Sequence, residues 1–418
     1  MFRTLGDHPS SWESLLPSGL LRLPEELARV DALLDDPAFF APFAPCFHPV
    51  LGRPSTPVEC YLRLMFLKYR YRLGYESLCA EVPDSISWRR FCRIPLGGAV
   101  PHPRALMKLT TRCGSAAVAA LNEALLARAA GEKLLRTARV RADTTVVPAN
   151  VSYPTDSGLL ARAIGRIAAT GRRIQAAGGA TRTRVRDRSR AAGRRAHAIA
   201  AKLTSRQAAD EKRAAVARAT GELAGLAERA AAEAGRRLAG AMPDGATRRV
   251  SLHDGDARPI AKGRLGRPVE FGYKAQVTDN DDGVVLDHAV EQGNPADGPQ
   301  LAPAIGRVIK RTGGKPRTVT ADRGYGEQSI EDDLRALGVR HVAIPRKGRP
   351  GKARQAAERR PAFRRAVKWR TGSEGRISAL KRQYGWDRTR IDGTEGARTW
   401  TGYGILAHNL VKISALAS

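Results

Sequence analysis

In several stretches between residues 23 and 131 apolar residues recur every three or four positions, the spacing that buries one face of an α-helix. LPEELARVDALLDD (23–36) predicts one short helix in an otherwise Pro-rich, irregular start that runs to about residue 55. TPVECYLRLMFLKYRYRLGYESLCAEV (56–82) predicts a helix with Thr56 as N-cap and Pro57 in its first position. SISWRRFCRI (85–94) follows the turn at 83–85, and the pattern resumes from ALMKLTTRCG through AALNEALLARAAG, to residue 131. This first part reads as an irregular segment, 1–55, and an all-α domain, 56–132.

The texture then changes. TARVRADTTVV (137–147) is rich in β-branched residues and reads as a strand containing Asp143. From 248 to 290 the pattern is again β: RRVSLHDGDARPI, then EFGYKAQVTD and VVLDHAV joined by the hairpin turn NDDG. A helix at LAPAIGRVIKRTG leads to the strand RTVTA, a helix at SIEDDLRALG to the strand HVAIPRK, and a last helical segment carries Glu374. Antiparallel strands followed by β-α units match an α/β domain of ribonuclease H-like type over 133–418, a five-stranded mixed sheet flanked by helices. An Ala/Arg-rich stretch at about 158–245 interrupts it and predicts a helical insertion, an antiparallel pair broken near GGATRTRVRDRSR.

Charge changes the picture most. Lys and Arg number 71 against 41 Asp and Glu, a formal net charge of +30 over 418 residues. Such a surplus implies a polyanionic partner, and nucleic acid fits because Lys and Arg contacts to phosphates release counterions. Residues 161–200 alone hold 11 Arg and one acid, Asp187, either a solvated helical face or an arm on DNA. Short basic helices before residue 132 suggest a helix-turn-helix type of DNA-binding domain. No apolar run of membrane-spanning length and no signal peptide is visible, so a cytoplasmic, nucleoid-associated protein with no membrane partner is expected. The five cysteines lie at positions 46, 60, 79, 92 and 113 without zinc-site spacing, which predicts reduced thiols.

Three acids stand where a basic chain has reason to keep them. Asp143 interrupts an apolar strand, where a carboxylate needs a metal or a partner, or bonds the backbone of Thr144 or Thr145. Asp322 follows TVTA and precedes RGYG, at the end of a strand, and either serves chemistry there or caps the next turn. Glu374 sits among cations, with Arg370 four residues before it and Lys381 seven after, on one face if the segment is a single helix. It either binds metal or pairs with its basic neighbours. Asp254, Asp256 and Asp297 are rivals in turn-rich segments.

The motifs RADTTVV, HDGDARPI, EFGYKAQV, EQGNPAD, TADRGYG, WRTGSEGRISALKRQYG and WTGYGILAHNLVKI resemble those of bacterial insertion-sequence transposases of the DDE type. The resemblance runs from about residue 140 to the end, and the helical region 50–115 resembles the family's N-terminal domain. Carried over by position, it implies that Asp143, Asp322 and Glu374 are catalytic and hold two Mg²⁺ ions, which Mn²⁺ can replace. It also aligns Arg370 and Lys381 with the family's signature, and Arg323, Tyr325, Arg370, Arg376 and Lys381 are the candidates for DNA contacts near the site. One position departs: the family's Tyr three residues before the Arg is Val367 here, with Trp369 the nearest aromatic.

What the resemblance implies is a complete reaction. The terminal inverted repeats are bound, water cleaves the phosphodiester at each element end, and the released 3′-hydroxyl attacks target DNA, with no covalent protein intermediate. Pairing two ends implies a homodimer, and no small-molecule cofactor is needed. The alternatives are a non-catalytic, transposase-derived repressor or architectural protein, and a ribonuclease H-like nuclease without strand transfer.

Overall fold

In the computed structural model, residues 2–4, 17–48, 51–52, 54–151, 225, 228, 250–251, 253–264 and 267–417 are described. Two compact units share the chain: Met1–Pro148 with Tyr273–Glu291 and Pro295–Ser418, and Ala149–Gly272 with Gln292–Asn294. The expected helical insertion at about 158–245, apart from residues 225 and 228, lies outside the described residues.

The first unit opens with helices α1 (Ser18–Leu21), α2 (Glu25–Leu34), α3 (Val58–Arg70), α4 (Tyr75–Glu81), α5 (Ile86–Phe91) and α6 (Pro103–Gly131). Two of these differ from the sequence expectation. The helix expected over 56–82 is two, because α3 closes where Leu73 N donates to Lys68 O at 2.8 Å. Arg72 takes up the left-handed conformation there, φ 59°, and the chain restarts at Tyr75. α6 is kinked where Gly114 adopts φ 63°. Ser85 caps α5 as a serine should, its Oγ accepting from Trp88 N at 3.2 Å.

Strand β1 (Arg139–Pro148) follows, and the chain returns to this unit within β3 (Arg267–Asn280), then runs through β4 (Val285–Gln292), helix α7 (Gly298–Thr312) and β5 (Thr318–Thr320). After these come α8 (Gln328–Ala336), β6 (His341–Val342), α9 (Lys352–Arg359), α10 (Pro361–Arg370), α11 (Gly372–Gln383) and the long α12 (Gly393–Leu416). β1 pairs parallel with β5, Val140 opposite Val319, and β5 parallel with β6, Val319 opposite Val342. β1 lies between β3 and β5 in the strand order, which explains its near-continuous burial.

α12 packs on α6, α2 and α3, so the N-terminal helices share a core with the end of the chain. Aromatic residues make that junction: Tyr61 OH lies 2.9 Å from Tyr403 OH and 2.8 Å from Thr110 Oγ1, and Tyr69 stacks on Tyr403. Asn409 of α12 brackets β4, accepting from Val285 N at 3.0 Å and donating to Val285 O at 2.8 Å. The five cysteines are free thiols. No described helix is long and apolar enough to cross a membrane.

The second unit contains β2 (Arg258–Arg264), antiparallel to the first half of β3 with Arg258 opposite Gly272. β2 corrects the expected strand count: the mixed sheet has six strands, not five. The β pattern read from residue 248 becomes a strand only at Arg258, because HDGD folds as a turn. Asp254 Oδ1 accepts from Asp256 N at 3.2 Å and Ala257 N at 3.1 Å, and Ser251 Oγ accepts from His253 N at 3.1 Å.

Candidate active site

Asp143 sits in the middle of β1, 9% exposed. Its Oδ1 accepts from Thr144 N at 2.8 Å, the local bond the sequence left open, and its Oδ2 lies 3.2 Å from Arg370 Nη1. Burial pushes this carboxyl up to about 6; the Thr144 N–H and the Arg370 charge pull it down, while the negative charges of Asp322 and Glu374 push it up. The three acids are therefore electrostatic neighbours although they come from β1, the exit of β5 and α11.

Asp322 leaves β5 and opens a single 3₁₀ turn, Arg323–Tyr325, with Oδ1 accepting from Gly324 N at 2.7 Å. The motif needs its glycines. A Cβ on Gly324 would stand 2.9 Å from Asp322 Oδ1, and one on Gly326 would stand 2.0 Å from Pro345 O. Tyr325 is fully buried, and its hydroxyl accepts from Gln276 Nε2 at 3.1 Å. Burial first, and then the charges of Asp297, Asp143 and Asp322, hold that phenol well above the usual tyrosine range.

Glu374 lies in the first turn of α11, its side chain 69% exposed, with Oε1 3.5 Å from Arg370 Nη2. Arg370 thus spans two of the three carboxylates. Its position is set from β1: Arg141 grips Asp279 with two bonds of 2.8 Å and donates from Nη1 to Trp369 O at 2.9 Å. The Trp369 ring lies under two guanidinium groups, Arg139 at 4.9 Å and Arg141 at 4.6 Å. The end of α10 is therefore held against β1 one residue before Arg370.

Residues 15–112 match the family described as a transposase domain (DUF772), and residues 244–410 match the transposase DDE domain. The chain belongs to the insertion-sequence DDE transposases. Asp322 and Glu374 fall inside the second match, whereas Asp143 lies between the two. No curated protein and no solved structure matches significantly.

DDE transposases act on DNA and use divalent metal ions, and the donor chemistry here suits a hard cation: carboxylate oxygens, those of Asp143 and Glu374 both paired to the Arg370 guanidinium. Among the described residues no group of three or more acids, histidines or cysteines already surrounds one ion position. Arg370 supplies the positive charge between Asp143 and Glu374.

Not every expected DNA contact of this transposase faces outward. Tyr325 is buried against Gln276, and Arg376 turns inward, Nε 3.4 Å from Asp279 Oδ2 and Nη1 2.9 Å from His408 Nε2. Both are expected contacts that the packing redirects to holding the sheet and α12. Arg323 is exposed, and Arg370 and Lys381 are half-buried. The structure adds an ion pair that was not expected, Lys274 with Asp297 at 2.6 Å, beside Gly324, whose added Cβ would stand 3.7 Å from Asp297 Oδ2. Lys274 stands in EFGYKAQV and Asp297 in EQGNPAD, so the signal was in the motifs.

Proposed function

We propose that this chain is the catalytic transposase of its element, built on a ribonuclease H-like domain. It binds the terminal inverted repeats, hydrolyses the phosphodiester at each end, and joins the freed 3′-hydroxyl to target DNA as a dimer on paired ends. The observation that carries this reading is the Arg370 guanidinium held between Asp143 and Glu374, acids 231 residues apart, in a chain of net charge +30 that matches the transposase DDE domain.

Asp143, Asp322 and Glu374 would hold two Mg²⁺ or Mn²⁺ ions, which would polarise the scissile phosphate and lower the pKa of the attacking hydroxyl. The protein's own part is alignment. Arg141, through Trp369, fixes Arg370 over Asp143. The Asp322 turn fixes the second carboxylate, and the exposed Arg323 and half-buried Lys381 stand as phosphate contacts. In cleavage, water forms a bond to phosphorus as the bond to the 3′-oxygen breaks, and the leaving oxygen takes a proton. In joining, the 3′-hydroxyl loses its proton as its oxygen bonds to the target phosphorus, the bond from that phosphorus to the target's own 3′-oxygen breaks, and the displaced oxygen takes up a proton.

The test is an assay of the purified chain with labelled duplexes carrying the inverted repeats that flank the reading frame, a target plasmid and Mg²⁺ or Mn²⁺. Joined products are expected. Nicks without joining indicate a nuclease, and salt-sensitive binding without cleavage indicates a repressor. Asp143→Ala, Asp322→Ala and Glu374→Ala should each abolish both steps while leaving DNA binding intact, and cleavage by any of them removes that residue from the site.

A further inference from the structure

Among the described residues, the side chain of Lys68 is buried with no carboxylate paired to it. The residue is 2% exposed on α3, and its Nζ lies 4.3, 4.7 and 4.1 Å from the ring centroids of Tyr69, Tyr75 and Trp400. Among the described residues no carboxylate pairs with it and no acceptor bonds it. Three π-faces offset part of the lost hydration, but a buried cation with no anion stays costly. Burial, with the charge of Arg390 added, lowers the ammonium to about 7.

The same lysine lines a cavity of about 30 Å³ together with Arg72, Arg390, Asp387, Gly385 and Trp400. Three of those side chains are cations. One acid, Asp387, answers them, and it is bound to Arg72, Nη2 to Oδ2 at 2.7 Å. Arg72 reaches this place from a left-handed backbone, φ 59°, a conformation that a non-glycine residue holds only when its surroundings fix it. The cavity has room for two or so water-sized groups. That suits the two free oxygens of a phosphodiester and excludes a base or sugar.

We propose that this cavity seats a backbone phosphate of bound DNA, with Lys68 as its buried anchor and Arg72 and Arg390 at its mouth. The assignment rests on the transposase reading and adds to it a contact point away from the three carboxylates. It joins α3 of the N-terminal helices to α12 and the segment before it, so a phosphate seated there bridges residues more than 300 positions apart in the sequence.

The test uses the full chain, a random-sequence DNA duplex and inorganic phosphate. Lys68→Met keeps the length and the contacts with the rings. It should keep or raise Tm, because an unpaired charge is gone, while weakening duplex binding about tenfold and reducing the log–log salt slope by about one. Arg390→Ala, at an exposed position, should leave Tm unchanged and reduce the slope likewise, which keeps the test open if Lys68→Met fails to fold. Unchanged affinity and slope in both variants overturns the proposal and leaves Lys68 as packing. Inorganic phosphate that raises the Tm of the wild type but not of Lys68→Met, with equal duplex affinity in the two, overturns it in favour of a free-phosphate site. A wild type that binds no duplex ends both this proposal and the transposase reading, whereas one that cleaves DNA alongside an unaltered Lys68→Met ends this proposal alone.

Discussion

Arg370 Nη1 lies 3.2 Å from Asp143 Oδ2, an ion pair in which both side chains are mostly buried, 16% and 13% exposed. The second arm of the same guanidinium reaches the exposed Glu374, where water screens the charge and the bond adds little. In metal-free protein the arginine therefore offsets the repulsion among three acids.

Arg370→Ala leaves Asp143 buried beside two like charges, at a cost of about 3 kcal/mol. The variant should melt well below the wild type in EDTA, and Mn²⁺ should raise its Tm more than it raises the wild type's. Thermal denaturation with and without Mn²⁺ decides it. Equal melting of the two proteins in EDTA would mean that the acids do not strain one another.

Asp279 is the hub behind that pair, accepting from Arg141 through both oxygens and from Arg376 at 3.4 Å, with its side chain 1% exposed. Asp279→Ala strands two guanidinium groups inside the fold, and breaking such a buried network costs about 3–5 kcal/mol. It also frees Arg141 from the geometry that holds Trp369 O. The expected result is a much lower urea midpoint, with DNA cleavage reduced even at temperatures where the variant is folded. A variant as stable as the wild type would show that solvent reaches these arginines.

The contrast between Asp322 and Arg376 shows what a sequence can carry. The place of Asp322 at a strand end was legible because strand, turn and motif are all local: TVTA runs out and RGYG turns within a few residues. The helices and the NDDG hairpin were legible for the same reason, since spacing and turn residues are properties of neighbours. Arg376 and Tyr325 stand in equally clear motifs, yet their direction is set by Asp279, His408 and Gln276, far away in the chain. The break in the 56–82 helix depends on Arg72 entering a left-handed conformation, which propensity does not favour. The aromatic cage of Lys68 needs α12 to supply Trp400, 332 positions later.

Gly326 tests the turn that carries Asp322. A Cβ there would lie 2.0 Å from Pro345 O and 2.7 Å from Lys347 N, both backbone atoms that a rotamer change cannot move. Lys347 N also donates to Gly326 O at 2.9 Å, so the two segments are already in register. Gly326→Ala should force the segments apart, lower Tm and abolish cleavage through displacement of Asp322. Wild-type cleavage by this variant, measured on the same labelled duplexes, would show that the turn does not position the acid.

His408 gives the chain a pH dependence of known sign. Burial first, and then the neighbouring Arg376 charge, lowers this imidazole from 6.5 to about 3. Its Nε2 faces a guanidinium that can only donate, so the ring is neutral with its proton on Nδ1, donated to Asn409 Oδ1 at 3.1 Å. Because the folded value lies below the unfolded one, the unfolded chain takes up a proton that the folded chain refuses. Stability from this group is whole above pH 6.5 and is lost as pH falls from there towards 3, by about 1.4 kcal/mol per pH unit. His408→Gln retains an acceptor for Arg376 and removes the titration. Tm measured at pH 7, 6 and 5 should therefore fall less steeply in His408→Gln than in the wild type, and parallel curves would mean that His408 is protonated in the folded protein.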